Sequence, residues 1–317
     1  MANLIMDVSV VVTYYFGYRW FRECIQSILD QTRHELIREI IVIIDGSAEE
    51  DLALLNSFVD RRIRIVTNSQ HLGIAGSKNV GTRLATSSWV AYMDQDDIWE
   101  PRRLEVAVAA VLPGDVAIVN GAKFIDENGR VIGRCALGRA EYLNSLDRDE
   151  QVFRIFRDYP VPTSSAVMFH RQTALNAGLP PLDMVSGDEI LLVSRLAKIG
   201  HVRFIDDTLT KHRVHALSAS VDIERQSQGE AQLIQIMVQD SPFLKPIEHW
   251  KNVRRLRNAA VVSLCARSYR QARNQARICF AQGGWRDVRT LASLVAIELG
   301  PVGRRLLLWV RFSGLRL

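Results

Sequence analysis

Residues Trp89 to Glu100 read WVAYMDQDDIWE, an apolar run that ends in Asp94, Gln95, Asp96 and Asp97. A buried strand delivering three carboxylates to one point creates a charge cluster that a divalent cation would relieve. The plainer reading is a solvated acidic turn capping a helix that begins near Pro101. Other groups with chemistry recur along the chain. Asp45 closes the run IIVIIDGS, where Asp-Gly-Ser can equally turn or cap. Lys78 lies within GIAGSKNVG, a stretch opening a helix whose backbone N–H groups and lysine suit a phosphate. Asp188 and Glu189 begin another helix, a place the helix dipole alone would favour for carboxylates. His212, Arg213 and His215 follow a short strand as HRVH; a lone histidine is usually an ordinary surface or core residue, but two beside an acidic crevice are less easily read so.

These residues need a scaffold that gathers them. Val8 to Thr13, Ile40 to Ile44, Ile63 to Val66 and Trp89 to Met93 are short, β-branched or apolar runs, predicted as buried strands. Between them, Trp20 to Leu29, Asp51 to Val59 and Ala75 to Ala85 carry helical spacing. Alternation at this rhythm predicts parallel βαβ units, in which ligands collect beyond the carboxyl ends of the strands. Tyr14, Tyr15, Asp45, Asp94 and Asp96 are therefore expected in one crevice. Further on, a hairpin is predicted about Glu127-Asn128-Gly129, a strand over Thr163 to Phe169 and a helix over Gly187 to Ile199. Val202 to Ile205 and Thr208 to His215 read as two short extended pieces. From Ile223 the pattern is helical, with a turn at Gly283-Gly284 and a break at Gly300-Pro301. The expected division is a catalytic domain over residues 1–225 and a basic helical region over 226–317.

The 317 residues, 48% hydrophobic and 24% charged, are those of a folded globular protein. Four cysteines, Cys24, Cys135, Cys265 and Cys279, lack CxxC spacing, which argues against a zinc site or a disulfide framework. The N-terminus lacks the pattern of a secretory signal, and no uncharged apolar stretch reaches the length of a membrane span. A cytoplasmic protein is expected, at most peripheral to the inner face of the cytoplasmic membrane. Charge is uneven: residues 251–317 hold fourteen Lys and Arg against two acids, whereas the remainder has a net charge of −7. The tail interleaves Arg with apolar residues at helical spacing, the profile of an element at an anionic membrane surface, or of a helical hairpin with solvated arginines. Nucleic acid is not expected, because the body is acidic.

The segments SVVVTYYFGYRWFRECIQSILDQT, IIVIIDGS, GIAGSKNVG, YMDQDDIWEPRRLE, GDEILLVSRLAKIG and HRVHALSAS, in this order, resemble family 2 glycosyltransferases of the GT-A fold. The resemblance covers roughly residues 7 to 220 and implies a Rossmann-like mixed sheet flanked by helices, followed here by a helical appendage. It implies that Tyr15 and Asp45 contact the nucleotide base, that Lys78 lies near the nucleotide, and that Thr13 takes a nucleotide-binding position usually held by Pro. Asp94-Gln95-Asp96 is then the DxD-type motif, with Asp96 a metal ligand, Asp94 a ribose or metal contact, and His215 a diphosphate or metal contact. The ion implied is Mg²⁺ or Mn²⁺. The general base falls on the Asp188-Glu189 pair: residue type favours Asp188, whereas the family spacing counted back from Arg195 favours Glu189. Phe16 for Asn and Ile44 for Asp depart from the family pattern and bear on which nucleotide is bound. The implied activity is inverting transfer from a nucleotide-diphospho-sugar, UDP-sugar by default, to a glycan or lipid-linked acceptor. A silent GT-A-like binding module and a nucleotidyltransferase are the alternatives.

Overall fold

The computed structural model describes residues 6–16, 19–46, 57–135, 137–216, 218, 222–286 and 288–304. Contacts divide the chain into two units, residues 1–216 and 217–317, against an expected boundary at 225. In the first, strands β1 (Val8–Tyr14), β2 (Ile37–Ile44), β3 (Ile63–Thr67) and β4 (Trp89–Asp94) alternate with helices α1 (Phe21–Leu29) and α2 (Gly73–Leu84). All seven residues of β1 are buried. β1 lies between β2 and β4, parallel to both, and β3 adds beyond β2. Apolar residues of this quartet pack with Phe21, Cys24, Ile25 and Ile28 of α1. Burial on both faces is why β1, β2 and β4 read as continuous apolar runs, whereas β3, also expected to be buried, lies at the sheet edge with every residue half-buried or exposed. The helix expected over Asp51 to Val59 lies largely outside the described residues.

α2 approaches β1 at Gly81, where a Cβ would stand 2.2 Å from Val11 Cγ1. Gly81→Ala is therefore expected to destabilise the unit by about 1–3 kcal/mol, because the strand beneath belongs to the central sheet and cannot recede. A lowered urea midpoint at unchanged slope checks this; an unchanged midpoint contradicts the close packing.

The sheet continues through antiparallel elements. Beyond β5 (Ile98–Trp99) and α3 (Arg103–Ala110) come β6 (Asp115–Ile125) and β7 (Val131–Cys135), a hairpin turning at the expected place. Helices α4 (Ala140–Ser145) and α5 (Arg148–Asp158) precede β8 (Val167–His170), α6 (Arg171–Ala177), α7 (Asp188–Ala197) and β9 (His201–Arg213). Among the described residues the order is β3-β2-β1-β4-β8-β6-β9-β5, with β7 on β6. The two extended pieces expected before His215 are one thirteen-residue strand, and register irregularities against β6 account for the apparent interruption. Thr163 to Phe169 forms a 3₁₀ turn at Ser164–Ala166 before β8 begins. That turn brings three polar side chains under the acidic cluster.

The second unit consists of α8 (Ile223–Asp240), α9 (Lys245–Cys265), α10 (Tyr269–Ala281) and α11 (Val288–Glu298) among its described residues. Val253, Leu256, Ala260 and Leu264 of α9 meet Ala272, Ala276 and Cys279 of α10, with Leu294 and Ile297 of α11. No helix among the described residues is long and apolar enough to cross a membrane.

Candidate active site

The register of the parallel strands sets Thr13 beside Asp94. The chain then turns tightly, with the Asp97 amide donating to the Asp94 carbonyl at 3.1 Å. The three carboxylates are thereby separated into different surroundings. Asp97 is fully buried. It accepts from Ser165 Oγ at 2.6 Å, Thr163 Oγ1 at 3.3 Å, the Arg213 amide at 3.0 Å and His212 Nδ1 at 3.0 Å. Burial opposes a charged imidazole at position 212, but the Asp97 carboxylate overrides it and His212 is pushed up to about 9. The pair acts as a brace behind the turn. Ser165 completes it: its hydroxyl donates to Asp97 and accepts from the Asp94 amide at 3.0 Å.

Asp94 faces the crevice. Thr13 Oγ1 donates to its Oδ1 at 3.3 Å, and Lys78 Nζ lies 3.8 Å from the same oxygen. Burial, against the pull of Lys78 and with Asp97, Asp96 and Asp188 nearby, raises its carboxyl to about 6. Asp96 lies 2.8 Å from His215 Nε2 through its Oδ2. The His215 ring stacks on Trp20 at 4.4 Å between centroids. Buried Arg213 secures the surroundings: Nε donates to the Asp96 carbonyl at 3.0 Å, and Nη2 donates to Glu23 Oε2 at 2.6 Å. Its Nη1 reaches the carbonyls of Asp126 and Glu127 at 3.3 Å each. One guanidinium thus joins the acidic turn to α1 and to the β6–β7 hairpin, a use of its planar, multi-donor head that a lysine could not reproduce.

Lys78, expected to face the nucleotide, is buried beneath the crevice. Its ammonium donates to Asp188 Oδ2 at 3.0 Å and also to Ser164 Oγ. Burial would depress its pKa, yet Asp188, Asp94 and Glu189 hold it well above the usual lysine range. Asp188 is itself buried. Gly187, at φ +78°, makes the turn that starts α7 there. Glu189, the next residue, is partly exposed. Burial of its carboxyl, reinforced by the Asp188 charge, raises it to about 7. Two adjacent acids therefore differ in kind, one neutralised by a fixed cation and one poised to exchange a proton near neutral pH.

That difference has a stability consequence. Asp188→Asn leaves the Lys78 ammonium without its principal counter-charge, and a loss of about 3 kcal/mol is expected. Asp188→Asn combined with Lys78→Met should recover much of it. Additive losses in this double-mutant cycle would contradict the pairing.

Asp45 sits at the end of β2, as expected, with both oxygens occupied. Oδ1 accepts from the Leu72 amide and Asn68 Nδ2, each at 2.8 Å. Oδ2 accepts from the Gly73 amide at 2.7 Å and lies 3.0 Å from His71 Nδ1. Four partners fill the lone-pair positions of a carboxylate. Asp45 thereby anchors the start of α2. Tyr15 is half-exposed, and its ring lies 4.9 Å from that of His71. Gln95 clamps this loop: its Oε1 accepts from the Tyr15 amide at 2.8 Å and its Nε2 donates to the Phe16 carbonyl at 2.5 Å.

The structure thus brings Thr13, Lys78, Asp94 and Asp188 into direct contact, joins Asp96 to His215, and joins Tyr15 to Asp45 through His71. Sequence reasoning did not single out Trp20, Glu23, His71, Thr163 or Ser165. Only the HRVH run hinted that Arg213 belongs to the site. The others are ordinary residue types whose roles arise from partners as far as 190 positions away.

A mixed sheet flanked by helices, its parallel half ending in an Asp-rich turn, is the architecture of a GT-A-type glycosyltransferase. The family profile "Glycosyl transferase family 2" matches residues 9–174, just over half of the 317. The chain belongs to that family. It is 28% identical over 127 residues to "UDP-Glc:alpha-D-GlcNAc-diphosphoundecaprenol beta-1,3-glucosyltransferase WfgD" of Escherichia coli. That match covers 40% of this chain and about half (49%) of the relative. Glycosyltransferase GlyG of Streptococcus pneumoniae is 31% identical over 217 residues, 68% of this chain and 66% of the relative. In fold it resembles S. aureus TarS 1-349 in complex with UDP, at a TM-score of 0.58 and 13% identity, covering 92% of this chain and 90% of that one.

Proposed function

We propose that the first unit transfers a sugar, with inversion, from a UDP-sugar to a glycan or lipid-linked acceptor, assisted by a divalent cation. The observation that carries this reading is the contrast at the start of α7, where Asp188 is held by Lys78 while Glu189 is free to act. An inverting transfer needs one base at the acceptor hydroxyl, opposite the departing nucleotide. Glu189, partly exposed and raised to about 7, meets that requirement at neutral pH. Asp188, favoured by residue type, is the less suitable of the two because its carboxylate is buried against a fixed ammonium. We assign Asp188 and Lys78 the task of fixing the helix start and the floor beneath Asp94.

The donor set fits a Mg²⁺ or Mn²⁺ ion that arrives with a diphosphate. Asp96 and His215 already face one another, and Asp94 stands partly buried among other carboxylates, a crowding that a cation would relieve. Among the described residues no group of three His, Cys, Asp or Glu is arranged to hold a metal ion. Phosphate oxygens would supply the remaining ligands, as is usual for Mg²⁺. When bound, the ion neutralises charge building on the leaving diphosphate. Tyr15 and His71 offer ring faces to the base, and Gln95 holds the Tyr15 loop in place. Thr13 orients Asp94.

UDP as the nucleotide is supported by the TarS complex and by the name of WfgD. The latter also names a diphosphoundecaprenol-linked acceptor, which supports a lipid-linked acceptor here. The strongly basic region from Lys251 onward suits an anionic membrane surface where such an acceptor would reside.

A thermal-shift panel of nucleoside diphosphates and nucleotide-sugars, with and without Mn²⁺, tests the reading, since a ligand selective for the native state raises its stability. The expected result is a Mn²⁺-dependent shift with UDP or a UDP-sugar. No shift with any nucleotide would overturn it.

A further inference from the structure

Helix α11 is apolar on both sides. Its inner side contributes Leu294 and Ile297 to the core of the second unit. Its outer side presents Leu291 and Val295, 41% and 54% exposed, and the stripe continues through Leu299 and Val302, 52% and 67% exposed. Leu291 and Val295, four residues apart, share one helical face; Leu299 directly follows the last turn, and Val302 lies past the turn at Gly300, φ +58°. A surface helix normally turns charged residues outward; here Leu291 and Val295 face outward instead, with Glu298 the exposed charge among the described side chains of the helix, so the outer side suits a second apolar environment.

Arginines border this stripe. Arg270, Arg273 and Arg277 of α10 are exposed, at spacings of three and four residues. Arg273 reaches α11, with Nη2 donating to the Glu298 carbonyl at 3.3 Å and Nε 3.8 Å from its carboxylate. Ile278 and Phe280 of α10 are exposed as well. Aliphatic anchors flanked by guanidinium groups are the arrangement of an element lying in a lipid headgroup region. A second copy of this chain fits less well, because a twofold contact along the stripe would bring like-charged arginine rows together. Nucleic acid would engage the arginines and leave the apolar stripe in water.

We propose that the α10–α11 face seats on an anionic lipid surface, with Leu291, Val295 and Leu299 in the interface and Arg270, Arg273 and Arg277 at headgroup level. This gives the lipid-linked acceptor reading a defined surface and rests on it for its purpose. Binding itself is independent of transfer.

The test is flotation of the full chain with phosphatidylcholine vesicles, with and without about 30% phosphatidylglycerol. Wild type should float with the anionic vesicles and bind neutral ones at least about tenfold more weakly. L291E/V295E and R270E/R277E should each weaken anionic binding by about tenfold or more, with far-UV circular dichroism and unfolding midpoint retained. V262E, altering an exposed apolar residue of α9 outside the stripe, should leave binding unchanged. Absence of flotation, equal flotation with both vesicle types, or undiminished flotation of L291E/V295E would each overturn the proposal. So would a dimer that V295E dissociates in a protein that does not bind vesicles. Failed flotation with an intact UDP shift would sink this inference alone, and flotation without any UDP shift would sink the catalytic reading alone.

Discussion

Glu189→Gln is expected to reduce the transfer rate by about a thousandfold while leaving UDP-sugar affinity within a fewfold of wild type. The amide keeps the shape and hydrogen-bonding reach of the side chain and removes only its capacity to take the acceptor proton. The pH profile supplies a second reading. A base acts only when deprotonated, so kcat/KM should rise with pH and level off above about 7, where the Glu189 carboxyl is placed by burial and by Asp188. Without those influences the limb would fall near 4.5, the ordinary glutamate value. Asp188→Asn provides the comparison. It should lower stability through Lys78 and leave the acidic limb in place, shifted downward because one of the charges raising Glu189 is gone. Activity within tenfold of wild type for Glu189→Gln, together with loss of the limb in Asp188→Asn, would return the base to Asp188.

The second large effect is expected at Asp96. Replacing it with Asn should lower transfer by about a hundredfold or more, because a hard anionic oxygen beside the leaving diphosphate is lost and a neutral amide is a poor ligand for Mg²⁺ or Mn²⁺. His215 would lose its carboxylate partner at 2.8 Å but keep its stacking on Trp20. The discriminating measurement is the metal dependence of UDP binding. Mn²⁺ should raise the melting temperature of the wild-type complex with UDP and do so far less for Asp96→Asn, while UDP without metal behaves alike in both. An equal Mn²⁺ effect in the two proteins would place the ion elsewhere. His215→Ala should produce the same signature at smaller amplitude, since it removes a neutral ligand rather than a carboxylate.

The crevice was legible because its carboxylates end strands that the sequence marks by continuous apolar runs. Val8 to Tyr14 and Trp89 to Met93 are buried on both faces, and burial of that kind leaves a compositional trace. The helices α4, α5 and α6, by contrast, were not anticipated; α4 and α6 are short, six and seven residues, and offer little apolar periodicity. For α5 the local signals were the capping box at Asp147 and Glu150 and the helical spacing of Val152, Ile155 and Phe156.

The sequence by itself determined which residue types stand at the strand ends and helix starts, the family they resemble, and a tail rich in arginine and leucine. These follow from local order, because strand burial, helix spacing and motif spacing are all written in neighbouring residues. Only the tertiary structure decided how otherwise similar acids differ. Asp97 is enclosed by Ser165 and His212, Asp188 is neutralised by Lys78 from 110 residues away, Asp45 is filled by the amides that open α2, and Glu189 alone keeps a partly exposed carboxyl raised to about 7. The reason is that a carboxylate's chemistry depends on burial and on the charges and donors within a few ångströms, and those neighbours come from distant parts of the chain.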